Sequence, residues 1–349
     1  MKQRLSIYWV ACGVAAATLA AAGGGPLTFV VGVTPADQKP EAAVVARDPA
    51  STRTANRIAI IDVQGMLINA KRRGLLSQRE NPVAELSEKL KLAADDADVK
   101  AVILRINTAG GAVTASDIMY REIRRFREET GKPVVALMMD MATSGGYYVS
   151  LSADRIVAHP TTVTGSVGVI LQVVSLQPAL QNIGVTADAI TSGANKAAGN
   201  PLAPFTPAQR QTLQTLVDDF YQRFRDLVRD RRPDIDPQQF DTITDGRVFS
   251  GDQAHALKLV DELGDLHTAW AEAKSLAGVE AANLVLYHSP LAYVASPYAA
   301  APTHVEMNDA DEAGEMNLLQ LNLGASGASG AAGDMGLPAA FLYLWRPGL

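Results

Sequence analysis

The chain has 349 residues, with 31 Lys and Arg against 37 Asp and Glu, a formal net charge of −6. Its length suits two domains, or one large one with appendages, and a 48% hydrophobic content with so small a net charge excludes a disordered chain. Mild acidity argues against a nucleic-acid binder, whose footprint is a basic face, and the single cysteine, Cys12, excludes an internal disulfide framework and a cysteine-based zinc site.

Charged residues make up 19% of the chain, below the usual quarter, and two stretches account for the deficit. The first is Leu5–Val33, which follows Lys2 and Arg4 and carries no charge. A bilayer crossing needs about 20 apolar residues. Positive charge before the stretch predicts a cytoplasmic N-terminus and an exported remainder. Ala20-Ala21-Ala22 before Gly23 also fits a small-residue cleavage site. Apolar sequence resumes at Leu27–Val33, beyond the glycines, and this favours an uncleaved transmembrane anchor over residues 1–33. Residues 34–56, rich in Pro, Ala and Asp with no apolar period, read as a tether.

From Arg57 the pattern alternates strands and helices. Arg57–Val63 and Val99–Ile106 are β-branched runs of strand length. Asn81-Pro82 predicts a capped helix through Ala94. Thr114-x-x-Asp117 predicts a second, ending at Gly131, and Val134–Met139 a strand. Such alternation predicts parallel strands with crossover helices. Thr206-Pro207 opens the longest helix, with Leu213, Leu216, Val217, Phe220, Phe224, Leu227 and Val228 on one apolar stripe. Residues 57–288 therefore read as the folded body. Residues 289–349 are low in complexity, with acidic positions and an apolar close at Leu337–Trp345 that is too short to span a membrane but apolar enough to dock somewhere, and read as a mobile tail.

The second uncharged stretch lies between Asp140 and Asp154, where Ser144 precedes Gly145-Gly146. A serine between a strand and a helix start has backbone N–H groups aimed at any anion formed beside it. A capping serine satisfies the same pattern. A second glycine pair, Gly110-Gly111, follows the Val99 strand and serves either as a tight turn or as an anion cradle. Neither a dinucleotide fingerprint nor a P-loop is present. A nucleophilic serine needs a base, and none of the five histidines sits in a triad-like context; His159, in His-Pro, reads as a turn residue. Lys196 is the sole charge from Ala189 to Gln209. A lysine base must be neutral, which burial without a counter-charge favours; a solvated loop lysine fits the spacing equally well.

Several segments in order resemble the signal peptide peptidase A (SppA) family of membrane-anchored Ser/Lys peptidases in its short, single-repeat form. These are Val102–Ser116 (VILRINTAGGAVTAS), Pro133–Ile170 with its Ser-Gly-Gly and Thr-Gly-Ser-Val-Gly-Val turns, and Asp245–Ala254 followed by Leu259–Gly264. The likeness runs from about Arg57 to Leu286. It implies a Clp-protease/crotonase-like α/β fold built on a repeated ββα core, with Ser144 as nucleophile and Lys196 as general base. The oxyanion groups would come from Gly110 or Gly111 with Gly145, and no metal or cofactor is implied. It further implies apolar peptide substrates such as signal-peptide remnants, an inner-membrane location, and a ring-shaped homo-oligomer in which neighbouring protomers supply serine and lysine. The chain departs from the family at Thr108-Ala109 (commonly Ser-Pro), at Thr143 (commonly Ala) and at Lys258 (commonly Gly). A crotonase-like acyl-CoA enzyme and a non-catalytic membrane ring scaffold are the competing readings of the same fold.

Overall fold

A computed structural model describes residues 40–51, 53–70, 72–73, 78–79, 81–288, 294, 296–299 and 342–344. The expected anchor, Leu5–Val33, lies outside the described residues. Among the described residues no helix is long and apolar enough to cross a membrane.

The elements in chain order are β1 (Glu41–Ala46), β2 (Arg57–Leu67), β3 (Arg72–Arg73), β4 (Gln78–Arg79), α1 (Pro82–Asp95), β5 (Val99–Ala112), α2 (Val113–Thr130), β6 (Val134–Thr143), α3 (Gly145–Ser150), β7 (Arg155–Ala158), β8 (Val163–Gly165), α4 (Gln177–Asn182), α5 (Pro207–Arg231), α6 (Phe240–Ile243), β9 (Val248–Ser250), α7 (Gly251–Ala256), β10 (Glu262–Leu263), α8 (Leu266–Ala277), β11 (Asn283–His288) and β12 (Leu342–Leu344). The main sheet runs β1-β11-β2-β5-β6-β7-β10. Every pairing along it is parallel except β1 on β11. This is a mixed α/β protein with a parallel-rich sheet, as the alternation predicts.

The sheet is buried on both faces, which is why its strands read as apolar runs rather than alternations. One face packs Ala59, Ile61, Val102, Leu104, Val134 and Ala136 with residues of α1, α2, α3 and α5. The other packs Ile58, Ile60, Ile103, Val135 and Leu137 against Leu266, Ala269, Trp270 and Ala273 of α8. Helix starts follow local chemistry. The Asn81 side chain accepts from Val83 N–H ahead of α1, and Gly131 ends α2 in the left-handed region at φ 68°. Ala112, not Thr114, precedes the first turn of α2, without a side-chain cap.

Three expectations change. The segment 34–56 is not all tether: Glu41–Ala46 forms the sheet's antiparallel edge strand. Asp48 beyond it is buried, accepting from Ala282 N–H at 3.0 Å and Lys274 Nζ at 2.8 Å. The tail is likewise held in places. Buried Arg105 pairs with Asp62 and donates to the carbonyls of Pro297 and Ala299, and β12 pairs with β5. The α5 stripe is buried only at Phe224 and Val228, whereas Leu216 stays exposed, because the first half of α5 has little of its own chain to pack on.

Candidate active site

β6 runs four residues past its expected end, to Thr143, where Ser144 turns the chain into α3. Ser144 has φ 54° and ψ −111°, a conformation that clashes Cβ with the backbone of an L-residue and persists only where surroundings impose it. Its N–H donates to the Gly165 carbonyl at 2.8 Å, and its own carbonyl accepts from Tyr148 N–H at 2.8 Å. The two following glycines are required by crowding. A Cβ on Gly145 would lie 2.6 Å from Ser116 Oγ, and one on Gly146 2.8 Å from Thr108 Cγ2. Ser144 is 1% exposed, and its Oγ finds no hydrogen-bond partner among the described residues; neither does Thr143 Oγ1. A buried hydroxyl left unpaired costs about 1–3 kcal/mol, so a strained, unpaired serine is the feature of this region that packing does not explain.

The first glycine pair meets this serine's neighbour. β5 does not stop at Ile106 but continues to Ala112, because β2 extends alongside it, with Met66 opposite Gly110 and Leu67 opposite Gly111. The approach is close enough that a Cβ on Gly111 would fall 2.1 Å from the Leu67 carbonyl oxygen. Gly110, at φ 105°, donates its N–H to Thr108 Oγ1 at 3.0 Å. The nitrogen of Gly111 lies 3.1 Å from where a Cβ on Gly145 would sit. Gly111 and Gly145 are therefore adjacent, whereas the Gly110 N–H is already engaged. On the same strand β12 pairs antiparallel, with Tyr343 opposite Gly111 and Leu344 opposite Gly110.

The remaining motif segments form the support behind Ser144. β8 pairs with β6 and with β9, and Ser166 N–H donates to the Arg247 carbonyl at 2.7 Å. Ser166 is a second buried serine at positive φ, 54°. It stands one residue beyond the carbonyl that holds Ser144, a placement its turn motif signalled but did not single out. Tyr148, one turn into α3, donates to Asp117 of α2 at 2.8 Å, and Arg223 of α5 reaches the same carboxylate oxygen at 2.9 Å. Burial alone would raise the Asp117 carboxyl, but hydrogen bonds from Arg121, Tyr148 and Arg223 outweigh it and hold the group below its ordinary value. Burial, reinforced by Asp117, pushes the Tyr148 phenol up, so it stays a neutral donor. Spacing along the chain gave no hint of this three-helix junction.

No hydrogen bond joins Lys196 to Ser144 among the described residues. The lysine is exposed, on a run of turns over residues 191–200, and its ammonium forms no hydrogen bond with the described residues. The Gln209 side chain hooks this run to the start of α5 by donating to the Ala194 carbonyl at 2.8 Å. Arg223, which ties α5 to Asp117, lies fourteen residues further along the helix, about 21 Å away at 1.5 Å per residue. Helix α5 thus carries the lysine run at its first turn and the Asp117 contact further along. His159 is exposed, with Nδ1 2.8 Å from Thr161 Oγ1, a turn residue as expected.

The model of peptidase family S49 matches residues 126–280. A Synechocystis sp. relative is 32% identical over 232 residues, covering 66% of this chain and 78% of that protein. The chain belongs to peptidase family S49, the SppA family. Protease 4 of Haemophilus influenzae is 37% identical over 224 residues, or 63% of this chain and 35% of that protein. The chloroplastic serine protease SPPA of Arabidopsis thaliana is 34% identical over 227 residues, 64% and 33% respectively. The chain thus spans about a third of the length of these two relatives. The S49 match begins within α2 and closes before β11, so it takes in Ser144, its β8–β9 support and Lys196 together.

Proposed function

We propose that this chain is a serine endopeptidase that cleaves apolar peptides, with Ser144 as nucleophile and Lys196 as general base. The observation that carries the reading is Ser144 itself: buried, unpaired and held at positive φ beside two glycines that tolerate no side chain. Membership of family S49 supports the reaction class. The strand pairing of β12 along Gly110–Ala112 supports an extended peptide as ligand, because this edge accepts a chain in β-pairing beside the nucleophile.

Lys196, neutral, takes the Ser144 proton as Oγ attacks the scissile carbonyl carbon. The negative charge then forming on the carbonyl oxygen faces the backbone N–H groups of Gly111 and Gly145. The lysine ammonium returns its proton to the departing amine as the C–N bond breaks, leaving an ester on Ser144. Water, deprotonated by the same lysine, hydrolyses that ester and regenerates the hydroxyl. Lys196 is exposed and bonds no described residue of its own chain, which supports a base supplied by a second copy. The exposed apolar residues Ile170, Ile183, Val185, Ile190 and Leu202, all on the segment around Lys196, supply the surface for that contact. Such an assembly would withdraw Lys196 from water, the condition under which a lysine serves as base. The full reading is a Clp-protease/crotonase-like body in a ring at the inner membrane, anchored by Leu5–Val33 with its catalytic side exported and acting on signal-peptide remnants.

Hydrolysis of a fluorogenic apolar peptide by wild type, Ser144→Ala and Lys196→Ala tests the dyad. Both variants are expected to lose at least 1,000-fold in kcat/KM, on the order of other nucleophile and base deletions, with His159→Ala near wild type. An active Lys196→Ala would reject the dyad.

A further inference from the structure

We infer that Gln209 is the positioning residue for Lys196, its side-chain amide fixing the lysine run to the first turn of α5; the inference rests on Lys196 being the base. Gln209 is 7% exposed, although its neighbours Ala208 and Arg210 are exposed. Both ends of its amide are used. Oε1 accepts from Thr206 N–H at 3.2 Å, and Nε2 donates to the Ala194 carbonyl at 2.8 Å, two residues before Lys196.

The other hydrogen bonds of this run are local. Lys196 N–H donates to the Gly193 carbonyl, Ala198 N–H to that of Asn195, Asn200 N–H to that of Ala197, and Thr191 Oγ1 also to Gly193. Such bonds shape each turn but do not say where the run sits. Gly193 and Gly199 meet nothing at their Cβ positions, and residues 191–196 are exposed while 197–200 are half-buried, so packing holds the lysine end of the run least. Among the described residues the Gln209 amide is the side-chain link from a regular element to residues 191–200. The other end of that element is fixed to the nucleophile helix through Arg223, Asp117 and Tyr148. Just beyond the run, Leu176 N–H donates to the Pro201 carbonyl at 2.7 Å; the lysine's own half of the run is held through α5, with Gln209 as its side-chain connection.

Helix capping does not account for the amide. The Thr206–Gln209 capping box needs only an acceptor at the fourth position, and Glu serves there as well as Gln. Only an amide can accept from Thr206 and also donate to Ala194. Gln209→Glu separates the two roles: it keeps the cap and turns a carboxylate oxygen toward the Ala194 carbonyl. Loss of the hook frees the lysine, and displacement of a catalytic group by about 1 Å can cost on the order of 100-fold in rate.

The experiment compares full-length wild type, Gln209→Glu, Thr206→Ala and Lys196→Ala on one fluorogenic apolar peptide, with Tm and mass in solution measured for each. Gln209→Glu is expected to lose tenfold or more in kcat, with KM within twofold and with unchanged Tm and mass. Thr206→Ala, which removes the cap's hydroxyl but not the hook, is expected to lower Tm and keep kcat. Wild-type kcat in Gln209→Glu, with Lys196→Ala inactive, would overturn the inference and leave the dyad standing. A loss in Gln209→Glu that comes with a lower Tm or a smaller assembly would also overturn it, as a structural effect. Activity in Lys196→Ala would remove the dyad, and the inference with it.

Discussion

Ser144 and Lys258 share a backbone feature and differ in what it does. Both are non-glycine residues at positive φ, 54° and 65°. At Ser144 the strain presents, next to Gly145, a hydroxyl that has no hydrogen-bond partner among the described residues. At Lys258 it only closes the turn after α7, with its N–H on the His255 carbonyl at 3.1 Å. The family's common glycine at that position now has its physical reason, since glycine adopts this conformation without a Cβ penalty. Lys258→Gly is expected to raise stability by about 0.5 kcal/mol, the left-handed strain removed being partly offset by the entropy of a freer unfolded chain; an unchanged or lower denaturant midpoint would contradict this. Gly145→Ala points the other way. Its Cβ would lie 2.6 Å from Ser116 Oγ and 3.1 Å from Gly111 N. Displacing an oxyanion donor costs roughly 100- to 1,000-fold in kcat. A loss of that size with KM little changed is the expected outcome in steady-state kinetics, and wild-type kcat would remove Gly145 from the oxyanion site.

At the scale of elements, the helices around the sheet do more than cover it. α2, α3 and α5 meet at Asp117, which receives Tyr148, Arg121 and Arg223. Because the Asp117 carboxyl is held below its ordinary value, it binds a proton less readily folded than unfolded. Its contribution is therefore complete above the ordinary carboxylate value, near pH 4, and fades as pH falls through its folded value. Asp117→Asn is expected to destabilise the fold by about 1–3 kcal/mol, the range for hydrogen bonds to a charged group. It should also flatten the loss of stability below pH 4. An acid unfolding curve identical to wild type would show that the junction carries no such role. None of this was legible beforehand, since residues 117, 148 and 223 lie on three separate helices. The stripe on α5 was legible as a pattern, but not which part of it finds a partner. Phe224 and Val228 are buried in the core, Phe220 and Leu227 pack against it half-buried, and Leu216 stays exposed.

At the scale of the molecule, the chain closes on itself at both ends of the catalytic body. β1 extends the sheet at β11, and Arg105 holds the carbonyls of Pro297 and Ala299. Low complexity concealed these contacts, because they are made largely by backbone groups. The exposure of Lys196 has a consequence for assembly. If each dyad joins two protomers, Ser144→Ala mixed with Lys196→Ala should regain activity that neither has alone. Random 1:1 mixing in a closed ring leaves roughly a quarter of the sites intact. Restored hydrolysis after co-assembly is the expected result; none, with mixed assemblies confirmed by mass, would mean that the dyad forms within one chain.

Residue types and order were sufficient to identify the parallel α/β body, the Asn81 cap, the Gly131 stop and the Ser144-Gly145-Gly146 segment, because each depends on a few neighbours along the chain. They marked Lys196 as the sole charge from Ala189 to Gln209, and only the family resemblance gave it the part of a base. Tertiary structure alone decided the rest. It showed that Gly110 spends its N–H on Thr108 and that Gly111 lies against Gly145. It carried β5 past the glycines beside β2, and it tied the run bearing Lys196 to the first turn of α5. These outcomes turn on which backbones approach within 3 Å and which helix faces find cover. Both are properties of segments far apart in the chain, to which local propensity is blind.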